Sequence, residues 1–159
     1  MSFLMTFTKT STCAADMDAI AKDFLHLLET LPQQSQATII GLSGDLGSGK
    51  TTFVQAVARA LGIVEPVTSP TFVLEKKYSI PSTVKSIFTH LVHIDAYRLA
   101  SPTELATLGF SDITADSAAL IFIEWPERLG DLFPPNTPTL FFNHADETTR
   151  TITTAKNLL

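Results

Sequence analysis

The sequence predicts an α/β fold: a sheet with central parallel strands and antiparallel edge strands, flanked by helices. Three observations predict it. Short apolar runs bounded by turn residues are typical of buried strands, an amphipathic helical pattern lies near the N-terminus, and a glycine-rich turn separates one apolar run from a second helical segment. The 159 residues are 45% hydrophobic and 17% charged, which excludes a disordered chain. We expect a single domain over residues 1–159.

The first predicted elements are a strand over residues 3–8 and an amphipathic helix. Ser11 or Thr12 is the expected N-terminal cap of this helix, and Pro32 ends it. Its apolar positions recur at the spacing of one helical face: Met17, Ile20, Ala21, Phe24, Leu27, Leu28 and Leu31.

The middle of the chain alternates strands and helices. Residues 37–43 form a short apolar run that predicts a buried strand, and residues 50–61 predict a helix that ends at Gly62. Residues 70–80 and 87–94 predict two strands, joined by a loop at Pro81 and Ser82.

The last third predicts one helix and three strands. Ser101 to Glu104 has the pattern of a capping box with Pro102 at the first helical position, so a short helix begins there. Residues 119–123 predict another buried strand. Residues 139–143 and 150–154, separated by Asp146 and Glu147, predict a hairpin.

Composition narrows the classes of function. The longest strongly apolar run, residues 118–123, is much shorter than the roughly 20 residues of a membrane span, and the N-terminus lacks the basic region of a secretory signal. Cys13 is the only cysteine, which excludes an intramolecular disulfide and a cysteine-based zinc site. The net charge of −5 disfavours direct binding of DNA or RNA, because Lys and Arg hold phosphates. We expect a cytoplasmic protein without a membrane partner, and docking beside a nucleic-acid-binding protein stays open.

The glycine-rich turn carries the strongest indication of function. Residues 44–51 read Gly-Asp-Leu-Gly-Ser-Gly-Lys-Thr and fit the P-loop pattern G-x-x-x-x-G-K-[ST] at every fixed position. In such loops the backbone N–H groups face phosphate oxygens; Lys50 is expected at the β- and γ-phosphates and the Thr51 hydroxyl at Mg²⁺. The sheet is therefore expected to be P-loop NTPase-like. The residues expected to bind nucleotide are Asp45, Leu46, Gly47, Ser48, Gly49, Lys50, Thr51 and Thr52.

A P-loop also needs an acidic group near Mg²⁺, usually at the end of a neighbouring strand. Glu124 and Asp95 each end an apolar strand and are the two candidates. His90 and His93 have no third ligand at metal spacing, so we interpret both as structural. Trp125 follows Glu124 directly, and either packing or a nucleotide contact would explain it.

Three classes of P-loop protein compete. A GTPase is disfavoured because Asn143-His144-Ala145-Asp146 replaces the required lysine with histidine. A small-molecule kinase usually has an arginine-rich lid, whereas this chain has only four arginines. The third class, a small ATPase coupled to a partner protein, fits best. A small-molecule kinase and a nucleotide-gated interaction module without essential hydrolysis stay open as alternatives.

Several further motifs make the chain resemble the TsaE (YjeE) family of ATPases. Residues 68–72 read Thr-Ser-Pro-Thr-Phe, residues 93–99 read His-Ile-Asp-Ala-Tyr-Arg-Leu, and residues 123–127 read Ile-Glu-Trp-Pro-Glu. The resemblance implies ATP and Mg²⁺ as cofactors and a role in forming N6-threonylcarbamoyladenosine at position 37 of tRNA. It also implies TsaD and TsaB as partners, with tRNA reached only through them, and ATP hydrolysis that resets their complex.

The resemblance also assigns residues. Lys50, Asp95 and Glu124 match catalytic positions, and Thr51 and Glu124 match the Mg²⁺ ligands. Ser11 or Thr12, Trp125 and Arg150 match positions near the nucleotide, and residues 68–72 match a switch-like loop. The loop over residues 79–86 is longer than the family pattern. Because few arginines are present to neutralise charge, we expect slow hydrolysis that a partner accelerates.

Overall fold

The computed structural model describes residues 6–70 and 73–154, in which seven strands form one sheet. The strands are β1 (Thr8–Ser11), β2 (Thr38–Gly44), β3 (Glu75–Ser79), β4 (His90–Asp95), β5 (Ala119–Glu124), β6 (Thr139–His144) and β7 (Arg150–Thr154). The α-helices are α1 (Ala14–Glu29), α2 (Lys50–Ala60), α3 (Pro102–Thr107) and α4 (Phe110–Thr114), and a 3₁₀ segment spans Pro126–Leu132.

The sheet confirms the predicted fold class. Its spatial order is β1-β7-β6-β2-β5-β4-β3. Strands β6, β2, β5 and β4 run parallel, whereas β3 pairs antiparallel with β4, and β7 pairs antiparallel with both β6 and β1. The carboxyl ends of the parallel strands therefore share one edge, where α/β proteins place their ligands.

Two apolar layers cover the sheet. One layer contains the inner faces of α1 and α2, where Phe24, Phe53 and Phe122 make edge-on or tilted ring contacts. The other layer contains Leu105 of α3 and Phe110 of α4. Strands β4 and β5 are buried at every position, as expected for parallel strands covered on both faces. None of the helices in residues 6–70 and 73–154 is both long and apolar enough to cross a membrane.

The N-terminal boundaries differ from the predicted ones. The first strand is Thr8–Ser11 rather than residues 3–8, of which residues 3–5 lie outside the described part of the chain. Ser11 pairs with Arg150 in the sheet, so it cannot cap α1. The N-cap is Cys13, and the Thr12 amide and hydroxyl both donate to Asp16 Oδ2 at 2.7 Å. Pairing with β7 therefore displaces the expected cap by one or two residues.

The remaining differences are short. The strand expected over residues 70–80 is confined to Glu75–Ser79. A second short helix, α4, follows α3 because Gly109 adopts a φ of +79° between them and allows the chain to turn. Helix α2 ends at Ala60, one residue before the predicted end. Gly62 follows the C-cap Leu61 as predicted, and its amide donates to the Arg59 carbonyl at 3.0 Å.

Candidate nucleotide-binding site

The P-loop connects β2, a central strand of the sheet, to the N-terminus of α2. Gly49 is the N-cap of α2 and has a φ of +104°, a conformation that side chains rarely adopt. Gly44 has a φ of +149°, and a Cβ atom there would lie 2.4 Å from the Phe142 carbonyl oxygen. Both positions therefore require glycine, and the backbone curls over the end of α2 as the motif predicts.

Lys50 lies inside this loop rather than in solvent. Its side chain is buried, and Nζ donates to the carbonyls of Gly44 at 2.6 Å and Asp45 at 2.9 Å. The ammonium group lies 4.5 Å from the centroid of the Trp125 ring. Burial lowers the pKa of Lys50, and the carboxylate of Glu124 acts in the opposite direction. A bound anion would compensate this buried cation.

Thr51, Glu124 and His93 form a connected group beside Lys50. The Thr51 hydroxyl donates to Glu124 Oε1 at 2.7 Å, and His93 Nε2 lies 2.9 Å from the same oxygen. Glu124 and His93 are both buried. The interpretation of His93 as a purely structural residue missed this contact. A histidine between two apolar residues, Val92 and Ile94, within a strand was the available indication.

Asp95 lies next to Glu124, because the two residues are register partners at the ends of β4 and β5. Ser69 Oγ donates to Asp95 Oδ2 at 3.1 Å, and the Tyr97 amide donates to Oδ1 at 3.0 Å. Asp95 is 5% exposed. The structure thus orients this carboxylate through two donors at the mouth of the site.

A cavity of about 550 Å³ opens between the P-loop and the strand ends. Trp125 has an unusual positive φ of +58°, and its ring lies 5.1 Å from that of Tyr97, centroid to centroid. The cavity is lined by Leu46, Gly47, Gly49, Lys50, Thr51, Thr52, Ser69, Asp95, Tyr97, Arg98, Glu124 and Trp125. Ser69, Tyr97 and Arg98 were not predicted as site residues, although each lies within a motif that was singled out.

A second cavity of about 220 Å³ lies beside Gly47, Gly49 and Thr52 of the P-loop. Ser11, Thr12 and Arg150, three of the residues that the resemblance places near a nucleotide, line it together, whereas Trp125 lines the first cavity. Arg150 Nη1 donates to the carbonyls of the β6–β7 turn at 3.1–3.2 Å, so its guanidinium group is anchored to the protein. The two cavities share the three P-loop residues and could receive different parts of one extended ligand.

The other predicted residues have different roles. Asp45 and Ser48 shape the loop: the Ser48 amide donates to the Asp45 carbonyl at 3.1 Å. Of the switch-like residues 68–72, Thr71 and Phe72 lie outside the described residues. The segment that fails the guanine-reading pattern ends at Asp146, whose carboxylate accepts the Thr148 amide at 2.9 Å within the hairpin turn.

The oxygen donors at this site fit Mg²⁺ bound together with phosphates. Thr51 supplies a hydroxyl and Glu124 a carboxylate, which are the hard ligands that Mg²⁺ prefers. No group of three or more His, Cys, Asp or Glu side chains within residues 6–70 and 73–154 could hold a metal ion by itself. Because Mg²⁺ usually takes only one or two protein ligands beside substrate phosphates, this donor set suits a nucleotide-dependent cation.

Comparisons with known proteins show which family this chain is similar to. The family model described as "TsaE: Threonylcarbamoyl adenosine biosynthesis protein TsaE" matches residues 11–152. Two similar curated proteins are both named tRNA threonylcarbamoyladenosine biosynthesis protein TsaE. The one from Haemophilus influenzae is 36% identical over 114 residues, which are 71% of this chain and 66% of that protein. The one from Treponema pallidum is 35% identical over 120 residues, which are 76% of this chain and 83% of that protein.

The fold also has a solved counterpart. The crystal structure of YdiB from Bacillus subtilis resembles this chain with a TM-score of 0.72 and 23% sequence identity. The match covers 100% of this chain and 90% of YdiB. The fold is therefore one that an experimental structure also contains.

Proposed function

This chain belongs to the TsaE family of threonylcarbamoyl adenosine biosynthesis proteins, and from that premise we propose that it is a P-loop ATPase of tRNA threonylcarbamoyladenosine formation. The observation that carries the proposal is the meeting of Lys50, Thr51 and Glu124 at one end of the sheet. There the Thr51 hydroxyl donates to Glu124 Oε1 at 2.7 Å, beside the buried ammonium group of Lys50. A cationic loop, a hydroxyl and a carboxylate in contact are the parts that phosphoryl transfer requires.

The loop binds the phosphates of ATP in this proposal. The N–H groups at the start of α2 and the positive end of its dipole favour an anion. Lys50 already lies in the loop, where it donates to the carbonyls of Gly44 and Asp45. On binding, Nζ exchanges these carbonyls for phosphate oxygens, which compensate its charge more fully.

Thr51 and Glu124 hold the magnesium ion. Bound Mg²⁺ neutralises charge on the β- and γ-phosphates. The Thr51 hydroxyl directs its proton to Glu124, so its oxygen lone pairs are left for the cation. Glu124 contributes the negative charge that balances the cation.

Asp95 positions the attacking water. Its carboxylate lines the same cavity as Lys50 and Glu124, and donors from Ser69 and Tyr97 orient it. Hydrolysis by P-loop enzymes depends chiefly on such positioning and on charge neutralisation.

Trp125 closes this side of the site, and the base of ATP occupies the second cavity, against Ser11, Thr12 and Arg150.

The isolated protein is expected to hydrolyse ATP slowly. An arginine that neutralises transition-state charge is worth about 10³–10⁵ in rate. Of the four arginines, all within the described residues, Arg98 is the one that lines the main cavity. Arg59 pairs with Asp18 on the outer surface of α1 and α2, and Arg150 is anchored to a turn. TsaD and TsaB would complete the charge neutralisation, hydrolysis would reset their complex, and tRNA would be reached only through them.

Phosphate release from ATP tests this function. It would be measured with the purified protein alone and then with TsaD and TsaB. We expect little activity alone and a clear increase with the pair. Turnover of about 1 s⁻¹ or faster by the protein alone, as in kinases, would contradict the proposal. Equal activity in both conditions would also contradict it and would leave a P-loop ATPase or a kinase whose acceptor is still to be found.

A second experiment separates an ATPase from a nucleotide-gated interaction module. Asp95→Ala removes the carboxylate that positions water and leaves Lys50 and Thr51 in place. If hydrolysis is essential, this variant still binds ATP and its partners but does not support repeated tRNA modification. Multiple-turnover modification at the wild-type rate by Asp95→Ala would favour the interaction module.

A further inference from the structure

His93 in β4 occupies a buried strand position of the kind that apolar side chains usually fill. His93 is 0% exposed, and all six positions of β4 are buried. Its side chain lies on the same face of the strand as Leu91 and Asp95, because positions two apart in a strand share a face. A buried polar ring is unfavourable unless a hydrogen bond compensates it.

The compensating hydrogen bond of His93 goes to the site. Nε2 lies 2.9 Å from Glu124 Oε1, and Nδ1 is buried without a hydrogen-bond partner among the described residues. A carboxylate only accepts hydrogen bonds, so Nε2 carries the proton that faces Glu124. The one polar contact of this ring is therefore with the residue that also accepts the Thr51 hydroxyl.

We propose that His93 is a positioning residue, which orients the Glu124 carboxylate toward Mg²⁺. This inference rests on the proposed function. Donors from Thr51 on α2 and His93 on β4 converge on Oε1 of Glu124 on β5, so the carboxylate is held from two elements. Oε2 is the oxygen left for the cation or for a water molecule in its shell. Such hydrogen bonds to a ligand are typically worth 10–100-fold in metal affinity or activity.

Two polar substitutions distinguish this role from simple packing. In His93→Gln the amide N–H can reach the place of Nε2, whereas in His93→Asn the amide N–H falls near Nδ1, which has no partner. His90→Asn is the matched control, because His90 lies on the same strand but contacts Asp116, at 3.1 Å. Thermal unfolding of each variant sets a temperature at which all of them are folded.

Two quantities are measured. The first is the affinity for ATP in EDTA, and the second is the Mg²⁺ concentration at which half of the Mg²⁺-dependent increase in ATP affinity is reached. Trp125, the only tryptophan, reports both through its fluorescence, because it lines the cavity. We expect the half-saturating Mg²⁺ concentration of His93→Asn to be at least roughly tenfold that of wild type. Its affinity for ATP in EDTA should stay within about twofold of wild type. We expect His93→Gln and His90→Asn to behave as wild type.

The outcomes are separable. A normal Mg²⁺ requirement in His93→Asn would overturn the positioning role. Equal defects in the Gln and Asn variants, or a loss of affinity in EDTA as large as that in Mg²⁺, would also overturn it and would leave His93 as a packing residue. If the wild-type protein binds no ATP, the proposed function itself fails, whereas wild-type ATP binding together with a normal Mg²⁺ requirement in His93→Asn overturns this inference alone.

Discussion

Glu124→Gln is the most direct test of the metal site. The amide keeps the shape of the side chain and still offers an oxygen to Thr51 and His93, but it removes the negative charge. In the structure two hydrogen bonds converge on Oε1, at 2.7 Å and 2.9 Å. Hydrogen bonds to charged groups are worth about 1.5–3 kcal/mol, against about 0.5–1.5 kcal/mol between neutral groups.

The size of the effect follows from these bonds. If each hydrogen bond is weakened by about 1 kcal/mol, the side chain loses about 2 kcal/mol of the free energy that holds it in place. This loss corresponds to roughly a 30-fold change in rate. Since the charge that faces Mg²⁺ is lost as well, we expect Mg²⁺-dependent phosphate release to fall at least this much. ATP binding in EDTA should stay within about twofold of wild type, since Lys50 and the loop are unchanged.

The assay is phosphate release in the presence of TsaD and TsaB, with Trp125 fluorescence as the measure of binding. Glu127→Gln is the control: it is the same change at an exposed carboxylate three residues further along the chain, and it should leave the rate unchanged. If Glu124→Gln hydrolyses ATP at the wild-type rate, the metal assignment is wrong, and Asp95 becomes the residue to test.

Three further predictions concern binding and stability. Lys50→Ala should weaken ATP binding by roughly 10–150-fold, the equivalent of about 1.5–3 kcal/mol in charge-assisted hydrogen bonds; an unchanged fluorescence titration would contradict the phosphate role. Burial lowers the pKa of His90 below its ordinary 6.5, so protonation opposes folding: the free energy of unfolding should fall as the pH drops below about 6.5. Urea midpoints at about pH 7.5 and 5.5 should differ less in His90→Gln, and an equal difference would refute this contribution. The Tyr78 hydroxyl is buried without a hydrogen-bond partner among the described residues, so Tyr78→Phe should leave stability unchanged or raise it by up to about 1 kcal/mol. A fall in melting temperature of more than about 4 °C would mean that this hydroxyl has a partner.

The parts of the site that lie close together in sequence were predictable. The run before the P-loop, its glycines and the helix after it are contiguous, and the expected strand and helix agree with β2 and α2 to within one residue. The physical reason is that turn geometry and apolar burial act locally there. Glycine at position 49 allows the positive φ of the turn without the steric cost that a side chain would add.

Contacts between distant segments were predictable only in part. Asp95 and Glu124 were recognised as strand ends, but their direct pairing depends on β4 lying next to β5, which local patterns do not specify. The contact of His93 with Glu124 was not predicted for the same reason, since the two residues lie on different strands. At Ser11 the local sequence preference and the long-range strand pairing disagree. Serine locally favours the cap of a helix, but pairing with Arg150 places Ser11 in the sheet.

The pairing of β1 with β7 joins the beginning of the fold to its end. During synthesis β1 leaves the ribosome early, yet its hydrogen-bonding partner β7 is the last of the described strands to appear. The cavity beside Ser11 and Arg150 is therefore completed only when β7 has emerged. A ligand that spans this cavity would bind a chain that includes β7 and not one truncated before it, and by mass action it would keep β1 and β7 together.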